Sequence, residues 1–211
     1  LLTVAISITS TNAQQMSYYI DMVGSPGQSF ILARDTSPLI TDFVLDMSDT
    51  GAARVWRFEG LDLDELDTLN FMNLNAQEII DFPGANLVME SNLGRIVFDK
   101  DISTGLYLHG AGLSFQGIPI SLNYSPAQQT LPAVSSLGSM ATSLSYVDET
   151  FYTGIDTLIL GLCQITIDSM RLKRTSVHTV KFDATGELRL PLDTFSYTLR
   201  AVTSEVTLDS I

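Results

Sequence analysis

The chain has 211 residues, 45% of them apolar, which is ample for a sizeable core, and its 24 acidic and 11 basic side chains give a net charge of −13. The few cations are scattered and form no basic face, so nucleic acid, whose phosphates must be neutralised, is excluded as a partner. The single cysteine, Cys163, rules out an internal disulfide, and no run approaches the ~20 apolar residues of a transmembrane helix.

The chain opens with an apolar stretch, LLTVAISI, followed by the small polar residues of residues 9–13. That order is the one found at the end of a Sec-type secretory signal, because the signal peptidase accepts only small side chains before the cut. Residues 1–13 are therefore read as a signal remnant, with Thr11 and Ala13 at the recognition positions and Gln14 as the mature N-terminus. The competing reading is an edge strand, since LTVAISITS alternates weakly. Export would make the protein secreted or cell-surface bound.

Residues 14–211 are predicted to form one all-β, antiparallel β-sandwich domain with at most one short helix. The alternation has period two, which places successive side chains on opposite faces of a strand. In PLITDFVLDM, Leu39, Phe43, Leu45 and Met47 share a parity opposite Asp42 and Asp46. In VWRF, Trp56 and Phe58 share a face and are predicted to sit in the core, the alternative being a sugar-stacking platform at Trp56. Glycine, asparagine and aspartate clusters interrupt the runs at the spacing of a sandwich or barrel.

The one helical candidate is LDLDELDTL, where Leu63, Leu66 and Leu69 recur every third residue. It carries the acidic cluster Asp62, Asp64, Glu65 and Asp67. Calcium takes six or more oxygens and closely spaced carboxylates supply them, but the glycine and bidentate glutamate of a calcium loop are missing. The cluster is read as a solvated acidic face near Arg54 and Arg57, with calcium as the alternative.

Leu106 and Leu108 lie on one phase and Leu113 and Phe115 on the other, with Gly110 and Gly112 between. A β-bulge there would restore the inward face. His109, opposite in parity to its leucine neighbours, is expected to face solvent. Ile118, Ile120, Leu122 and Tyr124 alternate with polar partners, and the small, Pro-containing stretch 126–143 reads as a connection or subdomain boundary. Cys163 alternates with Ile165 and Ile167 and reads as a small buried hydrophobe. His178 shares parity with Val180 and Phe182 and should be partly buried and hydrogen-bonded. KFDATGELRLPLD reads as a hairpin turning at D-A-T-G, followed by a strand with Phe195, Tyr197 and Leu199 inward. EVTLDSI stops in mid-alternation, so a C-terminal domain of a longer protein is expected beyond it.

A Cys-His or Ser-His enzyme would have to be assembled from His109, His178 and Cys163, whose parity and isolation argue against it. No nucleophile elbow, zinc-binding helix motif or phosphate-cradling loop is present. No catalytic, cofactor-binding or metal-ligating set is therefore assigned. Carboxylate pairs for glycoside hydrolysis leave no local signature, so the alternative of a secreted hydrolase acting on glycans through two distant carboxylates stays open.

Three stretches together resemble exported β-rich proteins of Bacteroidota. The W-x-F-x-x-L strand is Trp56, Phe58 and Leu61, and the F-P-x-A-N-L segment is Phe82, Pro83, Ala85, Asn86 and Leu87. The late G-x-x-x-x-P-x-x-x-[FY] hairpin followed by L-R is Gly186, Pro191, Phe195, Leu199 and Arg200. Such proteins usually end in a type IX secretion sorting domain, which this chain lacks. The resemblance implies export and a sandwich-like fold and supplies no catalytic residues. The function expected is a non-catalytic, exported binding or structural module whose partner is an extracellular glycan or a surface protein.

Overall fold

The computed structural model describes residues 16–18, 23–34, 50–61, 65–92, 94–115, 118–159 and 163–210. The signal-like residues 1–13, the alternating segment 38–47, Asp62 and Asp64 lie outside them. In chain order come β1 (Met16–Tyr18), β2 (Ser29–Arg34), β3 (Gly51–Arg57), β4 (Glu65–Met72), α1 (Ala76–Asp81), β5 (Leu87–Ser91) and β6 (Gly94–Asp101). They are followed by β7 (Gly105–Phe115), β8 (Ile118–Pro132), β9 (Val134–Ser136), β10 (Met140–Ile159), β11 (Cys163–Arg189) and β12 (Thr194–Ser210). The protein is all-β, and α1 is the single short helix among the described residues.

The helix is set by its cap. Asn75 accepts from the backbone N–H groups of Gln77 and Glu78, and the Glu78 carboxylate accepts in return from the Asn75 N–H at 2.8 Å. This reciprocal capping box satisfies backbone donors that the first turn of a helix leaves without partners. Residues 65–69, the described part of β4 within the segment expected to be helical, form a strand instead, whose leucines pair antiparallel with β2: Phe30 lies opposite Leu69 and Ala33 opposite Leu66. Sheet pairing overrides the three-residue leucine spacing.

The main sheet follows the order β2-β4-β5-β6-β7-β8-β10-β11-β12, antiparallel throughout, while β3 joins β11 in parallel and β1 pairs with β9. The path folds over on itself at β8. Strand β8 shares one backbone ladder pair with β10, Ser125 with Tyr146. Its second half then lies across the inner face of β10 and β11. There the Gln128 amide donates to Ser176 Oγ at 2.9 Å and Ser145 Oγ at 3.3 Å, and the Gln129 carbonyl accepts from Ser143 Oγ at 3.2 Å. Leu131 packs against both Phe71, Leu87, Phe98 and Leu106 on one side and Val180, Phe182, Leu199 and Ala201 on the other. Two layers thus share a core across β8. The stretch 126–143, read from the sequence as a connection, is occupied by the end of β8, by β9 and by the start of β10.

The bulge expected near Gly110 is present. Phe98 pairs with Leu108 and Val97 with Gly110, so His109 is the extra residue. The D-A-T-G segment is not a turn. Strand β11 runs through it, pairing with β10 up to Lys181 and with β3 from Ala184, and the chain reverses only after Arg189. Gly186 is there for close approach, because a Cβ at this position would fall on the Arg54 backbone of β3. Trp56 and Phe58, each 9% exposed, pack with Ala184 and Leu188, as their phase predicts.

Two substitutions test this arrangement. Trp56→Ala should cost about 3–5 kcal/mol in urea unfolding. Gly186→Ala should cost about 1–3 kcal/mol by forcing β3 from β11; an unchanged midpoint would show that this contact is not tight.

Candidate functional site

The point where β8, still paired with β7, bulges and meets β10 is also the mouth of a cleft. Along β7 and β8, Leu108 pairs with Gln128 and Gly110 with Asn123, so residues 124–127 bulge out opposite the single residue His109. Before that bulge β8 stays with β7, whereas β10 follows β11 beyond Tyr146, and the two directions open a fork. The cleft within it has a volume of about 500 Å³. Asn123, Tyr124 and Ser125 line it from β8, and Tyr146, Asp148 and Glu149 from β10. His109 and Pro83 close the third side.

Each wall is held from behind. Phe82 is buried against Val88 and Val97. Gly110 must lack a side chain, because a Cβ there would strike the Phe82 ring. Asn86 clips the loop after α1 to β6: its amide donates to Asp99 Oδ1 at 2.7 Å, and its carbonyl oxygen accepts from the Lys100 N–H at 2.8 Å. Asn123 Nδ2 donates to the Asp81 carbonyl at 2.9 Å, tying the end of α1 to β8. The residues quoted above as F-P-x-A-N-L thus shape one wall of the cleft.

The two carboxylates of β10 have different surroundings. Arg171 grips Asp148 through both oxygens, at 2.6 and 2.7 Å, and this holds the Asp148 carboxyl below the usual carboxylate range. Glu149 is pushed upward, first by burial and then by repulsion from Asp148 and Asp81. Burial pushes the His109 imidazole down, partly offset by Asp99, so the ring is neutral at pH 7. Burial in turn raises Asp99, an effect His109 opposes. Tyr124 is buried, and Tyr146 is 47% exposed. The arrangement offers an aromatic face, hydrogen-bonding groups of both kinds and one unbalanced acid.

The residues singled out in the sequence scatter. His109 reaches the cleft, half-buried rather than facing solvent, because the bulge turns it off the phase of its strand. His178 is buried, with Nδ1 3.1 Å from the Gln129 carbonyl, between the layers and away from the cleft. Cys163 starts β11 opposite Ile159. Of the acidic cluster, Glu65 opens β4 half-buried, and Asp67 is buried and accepts from the Thr68 N–H at 2.8 Å, so it is no part of a solvated face. Tyr124 was placed by the alternation of its strand, whereas Tyr146 and Glu149 were not singled out in the sequence.

No protein-family model, curated protein or solved structure matches the chain. Among the described residues, no helix is long and apolar enough to cross a membrane.

The strained carboxylate gives a pH-dependent test. A glutamate whose pKa is raised on folding costs stability when ionised, and that cost disappears below its unfolded value of about 4.3. Glu149→Gln should therefore raise Tm at pH 7, and the gain should vanish by about pH 4. A gain that persists undiminished at pH 4 would show that charge is not its cause.

Proposed function

We propose that this protein is an exported, non-catalytic β-sandwich module that binds an extracellular glycan in the cleft between β8 and β10. The observation that carries this reading is Tyr146, a large exposed ring at the cleft mouth with Asn123, Ser125 and Glu149 within the same depression. Sugar rings present C–H faces that stack on aromatic side chains, while their hydroxyls need donors and acceptors placed around the ring. Export is supported by the signal-like order of residues 1–13 and by the resemblance carried by the segments around Trp56, Asn86 and Gly186. Tyr146→Ala should weaken glycan binding by about tenfold or more, roughly 1.4 kcal/mol, with Tm unchanged. Equal affinity of the variant and the parent across a glycan panel would overturn the reading.

A second reading, a hydrolase, is favoured by the opposed environments of Asp148 and Glu149, since neighbouring carboxyls whose pKa values are pushed apart can divide acid and base roles. It requires product release that Glu149→Gln reduces by orders of magnitude. Glycans recovered intact after long incubation would leave the binding module.

A further inference from the structure

We propose that the cleft selects saccharides bearing free amino groups, with the ammonium seated at Glu149 and the ring against Tyr146. This rests on the reading of the cleft as a glycan site and names the class of glycan.

The cleft carries an unmatched negative charge. Among the described residues, the side chains lining the cleft include no lysine or arginine. Asp148 is already neutralised by the two-pronged grip of Arg171. Glu149 has no basic partner among the described residues, and the groups nearest it in effect, Asp148 and Asp81, are acids. His109 is neutral and gives no compensation. A carboxylate partly withdrawn from water beside other acids is costly, and a ligand cation within a few ångströms relieves both desolvation and repulsion. Uronates and sulfated sugars would add repulsion in a chain whose net charge is already −13. The volume of about 500 Å³ lies within the range of small-ligand sites, so a short oligomer segment fits where a globular partner does not.

The Coulombic attraction of any polycation to an acidic protein must be separated from a seat at Glu149. The experiment therefore compares a β-1,4-linked glucosamine hexamer, its fully N-acetylated counterpart and an oligogalacturonate by titration calorimetry in about 150 mM salt, where long-range attraction is screened. The amine-bearing hexamer should bind about tenfold or more tighter than the acetylated one, and the uronate should not bind measurably. In Glu149→Gln, which is expected to fold at least as well as the parent, that preference should fall towards unity. In Tyr146→Ala both neutral and amine-bearing oligomers should weaken together.

Equal affinity for the amine and acetylated hexamers, with the Tyr146 dependence retained, would overturn the amine selectivity and leave the glycan site standing. A preference that survives Glu149→Gln would overturn it too, as diffuse charge attraction. Absence of binding by every oligomer would overturn the glycan reading itself.

Discussion

The single backbone pairing of Ser125 with Tyr146 fixes where one layer of the molecule ends and the other begins. Strand β8 keeps its ladder with β7 on both sides of a bulge at residues 124–127, while its second half also lies against β10 and β11. The bulge costs backbone pairing there. The return is an inter-layer core in which Leu131 bridges two hydrophobic clusters, and a fork whose opening is the cleft. The same geometric constraint thus produces both the packing and the site.

The second layer depends on β11, which lends one edge first to β10 and then to β3 while β12 holds the other. Gln128, Ser145 and Ser176, enclosed at the inter-layer seam, are paired, as burial demands. Gln128 reaches Ser145 and Ser176, and Ser176 donates in turn to Glu205. Near the β3 junction Arg200 donates to Asp183 at 2.8 Å, both side chains largely enclosed, and its guanidinium lies 5.9 Å from the centroid of the Trp56 ring. Removing either charge would strand the other away from water, which is why such pairs specify an arrangement more reliably than they stabilise it. Trp56 Nε1 is buried and has no hydrogen-bond partner among the described residues, so this tryptophan is held by packing and the cation above it.

The cleft inherits its electrostatics from position in the fold. Arg171 of the adjacent strand reaches Asp148 at the edge of the cleft; Glu149, one residue on, lies instead under the influence of Asp148 and of Asp81 at the end of α1. Alternation along a strand assigns neighbouring carboxylates to different environments, one paired and one crowded by acids. That asymmetry, and not the acidity of the chain as a whole, sets the character of the cleft.

Much of the architecture was legible in the residue order, because period-two patterning reports directly which face of a strand is buried. The all-β class, the core positions of Trp56 and Phe58, the bulge beside Gly110 and the enclosed, hydrogen-bonded His178 all follow from local phase. Where local signals compete with pairing, phase misleads: the leucines of residues 61–69 mimic a helical stripe, and D-A-T-G mimics a turn although Gly186 serves a close strand contact. The cleft was not legible at all. Its walls come from residues near 83, 109, 124 and 148, brought together only when β8 forks, and no window of sequence contains them jointly. Sequence by itself determined the alternation along each strand, since that is a local property, and so placed Trp56, Phe58 and His178 inward. The tertiary structure alone decided which strands meet and where the phase shifts, leaving His109 half-buried, Asp67 buried and Tyr197 exposed against expectation, because pairing depends on long-range closure that single-strand alternation does not encode.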